Sequence, residues 1–180
     1  MTEGAADTEA ALVTLVKRGD EDAFQQLLRT YLPRIHGYAV RMLDNPTEAN
    51  DIAQEVFIRF WQKSQTFNPN KAKLSTWLHQ IAHNLCIDHF RKHGKLIGME
   101  DQQEPASETL EMIMQSAERH DQIKQLIQLL PERQRSALLL CHYQGLSNKQ
   151  AAATIEVSID ALESLLSRAR KTLKQYLVEL

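Results

Sequence analysis

Long apolar runs are missing from this sequence: nowhere does it approach the ~18 consecutive apolar residues of a membrane-spanning helix. Cysteine is scarce, with only Cys86 and Cys141, each inside an amphipathic helical pattern. That excludes a disulfide framework and makes a reducing cytoplasm the expected location. The opening residues, MTEGAADTEAA, lack the basic segment and apolar run of a signal peptide. Strand-type alternation is absent throughout, which predicts an all-α protein. A glycine-rich phosphate loop and a serine nucleophile elbow are also missing, so neither catalysis nor a small-molecule substrate is expected. His79, His83, Cys86, His89 and His93 recur at helical intervals that metal sites also use. The first two point away from His89 on a helical wheel, and no cofactor or metal is expected.

What is present suits a soluble helical protein. The 180 residues suffice for one ordinary domain or two small ones, and 43% hydrophobic content supports a packed core. Net charge is only −2, but it is unevenly spread. Residues 1–30 carry six acids against three bases, and residues 99–121 seven against one. Residues 31–98 carry nine bases against five acids, and residues 122–180 eight against five. Two mildly basic blocks, at 11–93 and 118–180, are thus joined by a flexible acidic linker at 94–117. Stand-alone affinity of such blocks for DNA is expected to be modest at physiological salt.

Residues 1–10 are small, polar and acidic, which predicts disorder. A helix pair from Glu9 to Thr30 follows, broken at Gly19-Asp20, then a helix from Leu32 to Leu43 with Pro33 in its first turn. The next helix starts at Thr47 or Asn50 and gathers Ile52, Ala53, Val56, Phe57, Phe60 and Trp61 on one broad apolar arc. Asp51, Gln54, Glu55, Ile58 and Gln62 share the opposite arc. An isoleucine with a polar rim is the form of a protein-docking surface, although one exposed isoleucine alone is ordinary.

After a loop carrying Phe67, Asn68, Asn70, Lys71 and Lys73, a second helix buries Leu78, Ile81, Ala82, Leu85, Cys86 and His89. Its other side presents Trp77, Gln80, His83, Asn84, Ile87 and Arg91. Aromatic, amide and cationic groups in one stripe can stack on unpaired bases, bond their edges and meet phosphates. The competing role for Trp77 is to close the core.

In the second block, Ile123, Leu126, Ile127 and Leu130 form a stripe ended by Pro131, which opens the helix PERQRSALLLCHYQ. Gly145 ends it. Ser147 and Gln150 have capping-box spacing ahead of the short helix KQAAATI. Glu156-Val157-Ser158 makes a turn with Ser158 as the next N-cap. The last helix turns Ile159, Leu162, Leu165, Leu166, Ala169 and Leu173 inward, and Asp160, Glu163, Ser164, Ser167, Arg168, Lys171 and Lys174 outward. Short alanine-rich helix, tight turn and longer helix make a helix-turn-helix pattern.

Together, DIAQEVFIRFW, the phenylalanine-bearing loop, STWLHQIAHNLCIDHFRK, LPERQRSALLL and GLSNKQAAATIEVSIDALESLLSRARKTL resemble the sigma-70 family of RNA polymerase initiation factors, in the extracytoplasmic-function (ECF) group. The match runs in order across residues 20–178. The resemblance implies that Asp51, Gln54, Glu55, Ile58 and Gln62 dock on core RNA polymerase. It implies that Phe67, Asn68, Lys73, Trp77, Gln80, His83, Asn84 and Arg91 meet the promoter element near the start site and help open the duplex. The more distant element would be read by the helix-turn-helix, through Ser147, Lys149, Ser158, Asp160, Glu163, Ser164, Ser167, Arg168 and Lys171. An anti-sigma factor is the further partner implied, and the acidic linker would mimic the charge of nascent RNA.

Departures from the family pattern fall at telling places. Glu156 stands where a glycine is frequent in the turn. Glu163 and Leu165 replace a lysine and an arginine. His79 and His83 occupy positions where tyrosine and arginine are common. A stand-alone dimeric helix-turn-helix regulator is the alternative reading, and it leaves residues 51–91 without a role.

Overall fold

Helix forms from nearly the first residue. The computed structural model describes residues 3–93 and 120–178, and its helix α1 spans Glu3–Lys17. The disorder expected over residues 1–10 is therefore corrected. Alanine and glutamate favour helix strongly, and tertiary contact extends the advantage: Val13 and Val16 are 2% exposed, and the Tyr31 hydroxyl donates to the Glu9 carboxylate.

Gly19, at φ 85°, turns the chain, and Asp20 Oδ1 accepts from the Ala23 amide at 2.8 Å to cap α2, Glu21–Leu43. This 23-residue helix runs through Pro33, correcting the break expected near Leu32. Proline removes a helical donor at that point. Tyr31, Ile35 and Tyr38 are buried on either side of it and hold the helix on the core. Asp44, at φ 51°, ends α2.

Helix α3, Pro46–Lys63, starts one residue before the earlier of its two expected starts, because Asn45 caps the amides of Thr47 and Glu48. A 3₁₀ turn over Ser64–Thr66 leads to α4, Leu74–Lys92. Within this first domain Ile52, Ala53, Val56, Phe57 and Phe60 are buried as expected.

The second domain holds α5 (His120–Gln128) and α6 (Glu132–Leu138), the latter opening after Pro131 and running into a π-helical turn over Leu139–Tyr143. It ends with α7 (Asn148–Thr154) and α8 (Ile159–Val178). The expected linker, 94–117, lies outside the described residues, among which no strand occurs. The Ser147–Gln150 capping box is formed in both directions, at 3.3 and 3.0 Å. Ser158 Oγ accepts from Ala161 N at 3.1 Å, as an N-cap does. Leu162, Leu166, Ala169 and Leu173 are buried, whereas Ile159 is 45% exposed, a correction to its expected inward place. Ile159 is the first residue of α8, ahead of the stripe that packs. Replacing Ser147 by alanine should cost about 1 kcal/mol, read as a lower urea midpoint with unchanged slope.

The two domains pack together. Helix α7 lies on α4, while α5, α6 and the π turn lie on α2.

Candidate protein and nucleic-acid interfaces

Helix α3 crosses α2 so that its outer face is more than a polar stripe. Phe24, Leu28 and Leu32 of α2 join Phe57, Ile58 and Trp61 of α3 around a groove of about 680 Å³, rimmed by Glu21, Gln25, Gln54 and Gln62. Ile58 is 49% exposed. Trp61, assigned by periodicity to the core arc, is 37% exposed and stands edge-on to Phe24, with ring centroids 5.0 Å apart. Asp51, Gln54 and Gln62 are exposed, and half-buried Glu55 accepts from Arg59 Nε at 2.7 Å. Sequence periodicity found the α3 half of this surface. The α2 half was missed because its residues become neighbours of Ile58 only through helix packing.

The expected near-promoter residues divide into three groups. Phe67 is 5% exposed and stacks on Trp77 at 5.0 Å, with Phe60 edge-on to the same indole. Phe67 is therefore a core residue, a correction, and Trp77 is a half-buried residue packed against it. The Lys17 ammonium donates to the Phe67 carbonyl at 2.6 Å, fixing the loop against α1. Asn68, Lys73, Asn84 and Arg91 are exposed. Asn68 is held in a turn by the Asn70 amide at 2.9 Å, and Arg91 lies 3.6 Å from Asp88.

The third group, Gln80 and His83, faces the second domain. Gln80 donates to Glu156 Oε1 at 2.9 Å. His83, assigned to an outward stripe, is 6% exposed, a further correction. Its Nδ1 is 2.9 Å from Ser136 Oγ and 3.3 Å from the Tyr38 hydroxyl, which is itself 2.7 Å from Ser136. Burial pulls the His83 pKa down to about 4, with Arg133 adding repulsion. His79 is buried beside it, and its pKa is lowered chiefly by desolvation. The remaining helix histidines are engaged locally: His89 stacks on His93 and approaches Glu48 at 3.4 Å.

In the helix-turn-helix, Ser147, Lys149, Ser158, Asp160, Glu163, Ser164 and Lys171 are exposed, with Ser167 and Arg168 half-buried. Glu163 accepts from Asn148 Nδ2 at 3.2 Å, bracing α8 against α7. Half-buried Leu165 packs against the core, which accounts for an apolar residue there. Glu156 adopts φ 57°, the left-handed region that glycine enters freely. Glu156→Gly should stabilise the isolated turn by about 1 kcal/mol while removing the Gln80 bond. Thermal unfolding would rise for the second domain and the interdomain contact would weaken.

Comparison with known proteins agrees with this arrangement. Residues 27–96 match the family model for sigma-70 region 2, and residues 120–173 the model for sigma-70 region 4. The chain is 34% identical over 178 residues to the ECF RNA polymerase sigma factor SigW of Bacillus subtilis (strain 168), covering 92% of this chain and 94% of that one. It is 32% identical over 183 residues to the RNA polymerase sigma-H factor of Pseudomonas aeruginosa, covering 95% and 94%. Among solved structures, the sigma factor RpoE in complex with the anti-sigma factor NepR from Bartonella quintana superimposes with TM-score 0.68 at 25% identity, over 86% of this chain and 96% of that chain. CnrH in complex with the cytosolic domain of CnrY shares the fold, with TM-score 0.73 at 22% identity over 96% and 98%. With both regions matched in order, and relatives above 30% identity along nearly their whole length, the chain belongs to the ECF group of the sigma-70 family of RNA polymerase sigma factors.

Proposed function

We propose that this alternative sigma factor engages core RNA polymerase through the α2–α3 groove centred on Ile58, with Asp51, Gln54, Glu55 and Gln62 along its rim. The supporting observation is the solvent-facing apolar groove on a helix otherwise packed into the core: Ile58 and Trp61 are large side chains left open to water beside Leu28 and Leu32. Promoter recognition then divides between two surfaces. Asn68, Lys73, Asn84 and Arg91 meet the near element, joined by Gln80 and His83 where the second domain leaves them, with half-buried Trp77 available to an unstacked base. Phe67 supports that tryptophan from behind. Ser147, Lys149, Ser158, Asp160, Glu163, Ser164, Ser167, Arg168 and Lys171 present α7 and α8 to the distant element in the major groove.

Polymerase and promoter are thus the working partners. An anti-sigma factor is a third, supported by the complex of the neighbouring sigma factor RpoE with the anti-sigma factor NepR. The near-neutral net charge supports promoter binding that depends on the polymerase rather than on this chain alone. Run-off transcription with core polymerase on a promoter library, with and without this protein, tests the reading. Protein-dependent transcripts sharing a two-part motif are expected. Tight, sequence-specific duplex binding by a dimer of the free chain, without transcripts, would instead favour the stand-alone regulator.

A further inference from the structure

The seam between the domains is chemically specific. Two carbonyls in the last turn of α2, at Arg41 and Met42, lack helical donors of their own. The second domain supplies them: Gln128 Nε2 donates to Arg41 O at 2.7 Å, and the Arg135 guanidinium donates to Met42 O. A cation at a helix C-terminus is also favoured by the helix dipole. Beside this clasp, His79 and His83 of α4 are closed in by Tyr38, Ser136 and the side chain of Gln144. The closed seam covers Gln80 and His83, two of the residues proposed above for the promoter.

We propose that the two domains hold each other closed through a histidine latch, His83 of the first domain against Ser136 of the second, and that protonation of the ring releases it. The bonding direction explains why. With neutral His83 the Tyr38 hydroxyl donates to Ser136 and Ser136 donates to Nδ1. A proton on Nδ1 takes away the acceptor of the Ser136 hydroxyl and places a charge without a carboxylate partner in a buried site.

The surrounding charges act in the same sense. Arg34 of α2 bears on His79 and Arg133 of α6 on His83, both as cations. The nearby carboxylates are committed elsewhere. Glu132 and Asp44 act on Arg135, Glu156 bonds Gln80, and Glu48 of α3 pairs with His89 further along α4. On α4 itself, Cys86 is a buried thiol with its pKa pushed up. The closed state therefore prefers a neutral His83 ring, whereas on His79 the Ser75 and Gln144 hydrogen bonds oppose the effect of burial. The stability of the closed state is fully present above the ordinary histidine value of 6.5 and falls as pH drops from there toward about 4. From His83 alone, the open-to-closed ratio rises about thirtyfold at about pH 5, where ordinary carboxylates are still largely ionised.

The test needs neither polymerase nor DNA, so it stands apart from the proposed transcription role. Dyes are placed at Gln62→Cys and Lys171→Cys in a Cys141→Ser background; Cys86 is buried and unreactive. Single-molecule energy transfer then counts open and closed chains, with circular dichroism confirming retained helix. The expected result is a closed majority at about pH 7.5 and a roughly thirtyfold rise in the open fraction's ratio at about pH 5. The His79→Gln/His83→Gln pair should show less than about a threefold change. Ser136→Ala should raise the open population at neutral pH. An open majority at neutral pH would overturn the latch. A chain equally closed at both values would overturn proton release, as would an undiminished acid response in the glutamine pair.

Discussion

Ile58→Asp should leave the helices and unfolding midpoint of this protein unchanged while weakening its binding to core RNA polymerase by about 100-fold or more. Ile58 is 49% exposed and lines the groove rather than the core, so no packing is lost in the free chain. In a complex, the same position would carry a carboxylate into an apolar patch formed by Leu28, Phe57 and Trp61, where its desolvation has no compensating partner. Pull-down or fluorescence titration with core polymerase gives the affinity, and circular dichroism the fold. Equal binding by Ile58→Asp and the parent chain would remove this groove from the interface. Trp61→Ala offers a parallel reading, though its edge contact with Phe24 makes some loss of stability part of the expected result.

Arg135→Ala should destabilise the protein by about 3–5 kcal/mol. The guanidinium is 6% exposed and serves the carbonyls of Met42, Gln128 and Leu130 together with Gln128 Oε1. It also lies over the Phe90 ring at 5.7 Å. Alanine would strand buried acceptors on both sides of the seam and leave a void. Urea denaturation should show the drop, and the Arg135→Lys chain should recover only part of it, because an ammonium lacks the planar fork that reaches several acceptors at once. Full stability in Arg135→Lys would show that charge alone suffices at this position.

Two kinds of signal lie in this chain, local spacing and long-range packing. Periodicity located the buried faces of α3 and α8 because each helix meets the core along one continuous stripe. Ile52, Val56 and Phe60 on one, and Leu162, Leu166 and Leu173 on the other, fall where a 3.6-residue repeat puts them. The capping box at Ser147 was equally legible, since its partners are three residues apart. Helix ends were harder. Pro33 punctuates the sequence, yet α2 passes through it because Tyr31, Ile35 and Tyr38 are held by the core. Residues 3–10 lack a strong stripe, but α1 gains from the Tyr31–Glu9 bond, which links positions 22 residues apart.

The all-helical character, the polar surface of α3 around Ile58 and the helix-turn-helix with its two serine caps are readable from the chain alone. These features depend on neighbours within a turn or two, where composition and spacing carry the information. The places of His83, Phe67 and Trp61 depend instead on long-range packing. His83 reads as outward on its own helix, but the approach of α6 buries it against Ser136, 53 residues away. Phe67 reads as a loop aromatic free to stack on a base, but it folds under Trp77. Trp61 reads as core, but it is 37% exposed and lines the groove between α2 and α3. A single helix's pattern records which face is apolar; which partner covers that face depends on contacts between distant segments, set by the packing of the whole chain.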